Sequence, residues 1–250
     1  MPKTTMKATL LRHTPDPEGT IALGAKLCYS ASELDKLAAG VEKKDQAGFI
    51  RRLISMNHLS VMEHASFTYG ISGVSRSLLA QITRHRIASF SVQSQRYVSA
   101  SSEKRGGFAY VVPQGVERLG DAAVAEFEAQ MAIIQGWYDG WVEKLGGAGE
   151  GVNEDARFVL PNAAATQMLV TMNARELMHF FRLRCCSRAQ WEIRALAWEM
   201  LRQAVEVAPN LFENAGPACI AGPCPEGEKS CGKASEMKAR RRALMEENHE

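Results

Sequence analysis

The sequence predicts an α/β or α+β fold. Three observations carry that expectation. Short segments with apolar residues at alternate positions are interleaved with stretches whose apolar residues recur every three or four positions. Two helical patterns follow one another late in the chain. With 250 residues, 46% of them hydrophobic and 23% charged, the chain can bury a substantial core.

Taken in order, residues Thr5 to Arg12 alternate and read as a first strand. Asp16 to Gly24 carries Pro and Gly and reads as loop. Ser32 to Met56 reads as helix with a break near Gly40, and Phe49, Ile50, Leu53 and Ile54 form its apolar stripe. Phe67, Tyr69 and Ile71 alternate with polar or small residues in a half-buried strand that ends at Gly73. Ser75 to His85 reads as helix, with Leu78, Leu79 and Ile82 inward. Ser89 to Arg96 reads as extended loop, because serine side chains compete for backbone partners.

Phe108 to Val112 is a short strand stopped by Pro113. Asp121 to Leu145 is a long amphipathic helix with Phe127, Met131, Ile134 and Trp137 on its apolar face, and Gly146 to Gly151 a flexible break. Met168 to Met172 is a strand. Asn173 then caps a helix running to about Arg184, with Glu176 reaching back in a capping box. Ser187 to Gln190 repeats the pattern, which starts a further helix at Arg188 that stops before Pro209. One domain is expected over residues 1–213. Residues 214–250, rich in Gly, Pro, Lys and Glu, are expected to be a mobile tail.

A net charge of +2 excludes a chain that is basic throughout, so any anion site must be local. No apolar run is long enough to span a bilayer and the N-terminus lacks a signal-peptide core, so a cytoplasmic protein with reduced thiols is expected. Cys28 stands alone, Cys185 and Cys186 are adjacent, and Cys219, Cys224 and Cys231 cluster late. These spacings are not a CxxC pair and no histidine sits close, so no metal site is assigned. A nucleotide, if bound, is not held by a Rossmann turn or a P-loop, since neither GxGxxG after a strand nor GxxxxGK[ST] occurs.

The local anion site is legible in Arg84 to Tyr97. Three arginines, one histidine, three serines and two glutamines fall within fourteen residues, with no Asp or Glu among them. Guanidinium forks in such a run suit a phosphorylated ligand. The bland alternative is a solvated basic face. A second group, Arg175, His179, Arg184 and Arg188, lies in a segment too apolar to be solvated all round, where a guanidinium can stabilise a developing anion. A third, His58, Ser60, Glu63 and His64, has metal-ligand residue types without the HExxH pattern and reads more readily as structural.

Arg84-His85-Arg86, then seven residues, then Ser94, resembles the signature of the flavin-dependent thymidylate synthases. His58-x-Ser60-x-x-Glu63-His64, Ser75-Arg76 with Gln81, Ser94-x-Arg96-Tyr97, Arg157-x-x-Leu160-Pro161, Asn173-Ala174-Arg175, Leu183-Arg184 and Ala189-Gln190-Trp191-Glu192-Ile193 resemble the family pattern in the family's order. The resemblance covers about residues 5 to 212. It implies a single domain with a central, mostly antiparallel sheet flanked by long helices. It implies conversion of dUMP to dTMP and release of tetrahydrofolate. Methylenetetrahydrofolate would be the carbon donor, FAD the hydride carrier and NADPH the reductant. It also implies a homotetramer whose sites lie where subunits meet.

By position, Gln81, Arg84, Gln93, Ser94, Arg96, Arg157 and Arg184 match dUMP-binding residues. Ser60, Arg84, His85, Arg86, Asn173, Arg175 and His179 match FAD-contacting residues. Arg184 matches the arginine that favours ionisation at the uracil N3, the catalytic assignment. Three departures stand out: Ser91 replaces a frequent Asn, Val92 a frequent acidic residue, and His179 a frequent Asn at a flavin position. Two other classes stay open. A nucleic-acid-binding module predicts a colourless protein with salt-sensitive retention on DNA or RNA. A serine hydrolase built on Ser94 predicts labelling by a serine-directed probe, although no GxSxG elbow is present.

Overall fold

Four strands, β1 (Lys7–His13), β2 (Ser66–Ser75), β3 (Ala88–Val92) and β4 (Ala165–Asn173), pair as one antiparallel sheet in the order β1-β2-β4-β3. The computed structural model describes residues 1–246. Its helices are α1 (Pro17–Leu27), α2 (Leu34–Glu42), α3 (Ala47–Ser55), α4 (Arg76–Ile82), α5 (Ser102–Arg105) and α6 (Gln114–Glu117). They continue with α7 (Asp121–Lys144), α8 (Glu150–Ala156), α9 (Ala174–Arg184), α10 (Trp191–Val207) and α11 (Ala234–Glu246). This is the mixed helix-and-antiparallel-sheet class that was expected. Among the described residues no helix is long and apolar enough to cross a membrane.

The chain divides into two compact units. The first comprises residues 1–7, 70–84 and 90–169, and the second, within the described residues, 8–69, 85–89 and 170–246. In the first, Phe108, Tyr110, Val112 and Met131 form a core with Phe127 and Ile134 packed against it. In the second, an aromatic series runs from Phe67 to Phe212 (5.4 Å), Phe181 (5.9 Å), Phe180 (5.8 Å) and then the ring of His85 (5.0 Å), each contact edge-to-face. Tyr69, also in the second unit, donates to the carbonyl of Met200 (2.9 Å), and burial drives its phenol well above its ordinary pKa.

Several local expectations are corrected, each for a physical reason. The stretch expected as loop from Asp16 is α1: Asp16 caps it by accepting from Gly19 N (3.0 Å), and Pro17 opens it. The break between α2 and α3 falls at residues 43–46, where buried Gln46 donates to the carbonyls of Val41 and Lys44, and not at Gly40. β2 continues through Gly73 to Ser75. Gly73 has φ +67, and a Cβ there would sit 2.1 Å from the Thr5 carbonyl oxygen, so glycine is required. Ser89 to Val92 is strand, not loop. Phe108 to Val112 makes only isolated bridges through Tyr110.

The inward face of α7 is Met131, Gln135 and Tyr138, while Trp137 is 58% exposed. α10 begins at Trp191, because Gln190, not Ser187, supplies the cap, accepting from Glu192 N (3.0 Å) and Ile193 N (3.1 Å). The stretch expected as a tail contains α11. There Arg241, 3% exposed, donates to the carbonyls of Phe212, Glu213 and Ala215, and Arg240 lies 4.3 Å over the Trp198 ring.

Candidate functional site

The residues singled out by sequence fall into two sets, one in each unit. In the first unit, Gln81 lies in the last turn of α4 and Arg84 is exposed just beyond it. The Gln93 carbonyl accepts from Arg76 Nη2 (3.0 Å), and the Gln93 amide donates to the Gln167 carbonyl (3.0 Å). Ser94 Oγ accepts from the backbone N–H of Arg96 (3.1 Å), which folds the segment into a tight turn. Arg96 is flanked by two carboxylates of α8, pairing with Glu150 and, at 2.8 Å, with Glu154. Arg96, Lys104, Glu150 and Asn153 line a cavity of about 380 Å³. Arg157 follows α8 and donates from Nε to the Glu154 carbonyl (3.1 Å).

Sequence reasoning gave Arg76 no role of its own. It is partly buried, its Nε is buried without a hydrogen-bond partner, and burial together with the neighbouring Arg157 cation lowers its pKa. Two guanidiniums held near each other with an unsatisfied N–H are suited to an anion. Its place within the Ser75-Arg76 motif, at the first position of α4, was the available signal.

In the second unit, Ser60 is exposed at the start of a short 3-10 turn, Ser60–His64. Glu63 of that turn pairs with Arg175 (2.6 Å), so this carboxylate has a cationic partner in the chain. His64 lies against Gly24, where a Cβ would meet its ring at 3.1 Å. Asn173 caps α9 by accepting from Glu176 N (2.9 Å). The expected return bond from Glu176 is not the one made: its buried carboxylate turns to His85 Nδ1 (2.9 Å).

His85 is 4% exposed between the exposed Arg84 and Arg86. Its Nε2 meets Arg184 Nε (3.1 Å), and a guanidinium can only donate. Nε2 must therefore accept, which places the ring proton on Nδ1, donated to Glu176. The ring is neutral, in agreement with burial lowering its pKa. Glu176, His85 and Arg184 thus form a directed chain that ends on a half-buried guanidinium. His179, exposed one turn along α9 from Arg175, stands edge-on to His85 (5.8 Å). Ligand-type atoms of His85, Glu176 and His179 lie within 4.8 Å of one another. With both His85 nitrogens engaged and a guanidinium alongside, the group serves hydrogen bonding and not a cation.

A pH dependence follows. His85 has a lower pKa folded than unfolded, so the unfolded chain takes up its proton first on acidification. Its contribution to stability is complete above about pH 6.5 and falls below it. Denaturant titrations between pH 7.5 and 5.5 are expected to show this loss. His85→Gln should flatten the dependence, and an unchanged slope would count against the buried neutral ring.

The family model for thymidylate synthase complementing proteins matches residues 9–210. A flavin-dependent thymidylate synthase of Geobacter sulfurreducens is 53% identical over 234 residues, covering 93% of this chain and 97% of its own. One from Clostridium tetani is 47% identical over 244 residues, covering 93% and 96%. Among solved structures, a UMP/dUMP methylase, PolB from Streptomyces cacaoi, bound with 5-Br dUMP, superposes with a TM-score of 0.69 at 23% identity. That match covers 84% of this chain and 94% of PolB and is a likeness of fold. By the extent of the family match and the identity to its members, this chain belongs to the thymidylate synthase complementing protein family, Thy1.

Proposed function

We propose that the chain is a flavin-dependent thymidylate synthase. It methylates dUMP reductively to dTMP with methylenetetrahydrofolate as carbon donor, FAD as hydride carrier and NADPH as reductant, and yields tetrahydrofolate. Family membership supports the reaction. The observation of this fold that carries the reading is the Glu176–His85–Arg184 chain, which holds a cation in a set orientation. Such a cation beside the uracil N3 favours the ionised pyrimidine and makes C5 nucleophilic.

The donor set fits a flavin dinucleotide. Arg84 and Arg86 are exposed cations suited to its pyrophosphate, and Ser60, Asn173, Arg175 and His179 are polar groups able to orient its rings, around the buried His85. When bound, FAD supplies the hydride. The same reading assigns Gln81, Arg84, Gln93, Ser94, Arg96 and Arg157 to dUMP, and adds Arg76 beside Arg157 for the phosphate. The exposed pairs of Arg96 with Glu150 and Glu154 are worth only about 0–1 kcal/mol each, so a phosphate dianion can displace them.

The two sets need not come from one chain if sites are completed by neighbouring subunits. We take the assembly to be a homotetramer. The exposed residues Ile133, Trp137, Trp141 and Leu145, spaced four apart along and just past α7, support a self-interface. Catalysis is assigned to residues 1–213. The cytoplasm, where these substrates occur, is the proposed location.

One preparation tests the reaction. The purified protein should be yellow, with flavin absorbance, and should form dTMP from dUMP, methylenetetrahydrofolate and NADPH. A colourless protein without dTMP formation would overturn the reading. Ser94→Ala should raise the KM for dUMP by roughly 10- to 100-fold, the loss of one hydrogen bond to a charged ligand. NADPH oxidation should persist in that variant, and an unchanged KM would remove Ser94 from the dUMP site.

A further inference from the structure

Residues 208–233, between α10 and α11, contain one 3-10 turn as their only helical element, yet they are tied down at several points. Arg241 of α11 donates to the carbonyls of Phe212, Glu213 and Ala215, and Arg188 pairs with Glu226. Between these ties the Pro217 carbonyl accepts from Ile220 N (2.9 Å). Pro217, Pro223 and Pro225 each fix φ, so the segment loses little further freedom on meeting a ligand. With α3 and α9 it borders a cavity of about 370 Å³ in the second unit, within the size range of small-molecule sites.

The walls of this cavity are apolar: Ile54 of α3, Met178 of α9, Leu211, and the three prolines of the connection. The alanines and glycines between those prolines leave its space open. Two polar side chains line it, Arg182 and Asn214. Both are exposed, and among the described residues neither side chain has a hydrogen-bond or ion-pair partner. A planar ring fits against a thioether and proline faces, and a free guanidinium beside it selects an anion, a carboxylate above all. The pocket therefore suits an aromatic carboxylate.

The pocket adjoins residues assigned to the flavin. Arg175, Met178, His179 and Arg182 fall at i, i+3, i+4 and i+7 on α9 and share one stripe. On the α3 side, Asn57 N donates to the Ile54 carbonyl (3.0 Å) and His58 N to that of Leu53 (2.9 Å), which leads the chain from the pocket into the Ser60–His64 turn. Of the co-substrates in the proposed reaction, dUMP and NADPH set hydroxyl-bearing sugars and phosphates beside their rings. One cation and one amide among apolar walls are too few partners for such groups. Methylenetetrahydrofolate instead joins an aminobenzoyl ring, through an amide, to the carboxylates of a glutamate. We propose that this pocket holds the p-aminobenzoyl-glutamate end of the folate, with Arg182 on a carboxylate, Asn214 on the amide and Met178 against the ring. The inference rests on the proposed reaction and extends its working residues past 213.

The test uses the full chain as purified. Titration calorimetry with p-aminobenzoyl-glutamate should detect binding to the wild type. Binding should be weaker by roughly 10- to 100-fold in Arg182→Ala, the loss of one charge-assisted contact, and absent in Ala218→Trp, which fills the pocket. In turnover, Arg182→Ala should raise the KM for methylenetetrahydrofolate by a similar factor without moving that for dUMP. With a pteroate analogue that lacks the glutamate, wild type and Arg182→Ala should share one KM, an equality that a merely structural Arg182 would not produce. No binding of the fragment to the wild type, equal binding in Arg182→Ala, or its displacement by NADP+ would overturn the proposal. Arg182 is exposed, so its truncation leaves the core intact and decides the matter even if Ala218→Trp fails to fold. The calorimetry is also independent of turnover. Fragment binding that depends on Arg182 without dTMP formation would sink the proposed reaction and leave an aromatic-carboxylate site.

Discussion

Arg184→Ala is expected to abolish measurable dTMP formation while leaving flavin bound. Arg184 closes α9 and is held by His85, so its charge is set in place before substrate arrives. A fixed cation at a developing anion commonly contributes 10²- to 10³-fold, roughly 2.7–4 kcal/mol, in kcat. Arg184 is not itself among the residues assigned to flavin, so flavin should remain bound, although His85, which is among them, loses its Arg184 partner. The change should cost stability, about 1–3 kcal/mol for the buried His85 Nε2 left without its donor and about 0.3–1 kcal/mol for the cation lost from the last helical turn. Arg184→Lys keeps the charge but loses the Nε–H that meets His85, and should recover only part of the rate. Product assays with single-turnover flavin oxidation separate these outcomes. Retained dTMP formation in Arg184→Ala would end its catalytic assignment.

Glu176→Ala should act on both stability and rate. It removes the buried acceptor of the His85 Nδ1 proton, and a buried donor left unsatisfied costs about 1–3 kcal/mol. For a chain of this size that is roughly 2–4 °C in Tm per kcal/mol. The loss also frees the imidazole to take the other tautomer, with the proton on Nε2 facing a guanidinium that has only protons to offer. Arg184 would then shift, and displacements on the order of 1 Å can lower turnover about 10²-fold. The effect should appear in kcat more than in the KM for dUMP. Glu176→Gln keeps a carbonyl oxygen as acceptor and should restore most of the turnover. A purely structural Glu176 would show the Tm loss without the kcat loss, and calorimetry alongside steady-state kinetics distinguishes the two.

Much of the candidate site was legible because its residues cluster in sequence. Arg84 to Arg86 and Ser94 to Arg96 belong to one run, and Asn173 was read as a cap, which it is. Local rules misled where two of them competed. Proline and glycine after Asp16 suggested loop, but proline at the first helical position and aspartate at the cap both promote a helix. The opposite case is Glu176, where a strong local motif lost to a distant partner. A capping-box bond to backbone would leave His85 without an acceptor, and the buried imidazole wins because its proton has no access to water.

By itself the sequence determined the fold class, the long helices, the two sets of polar residues and the family. These follow from periodicity, capping chemistry and ordered motifs, which act over a few residues. Only the tertiary structure decided the pairs that span long chain separations. Examples are His85 with Glu176 and Arg184, and Arg96 with the α8 carboxylates. Such pairs depend on which side chains are desolvated together, and burial is a property of the packed chain that no short window of residues contains.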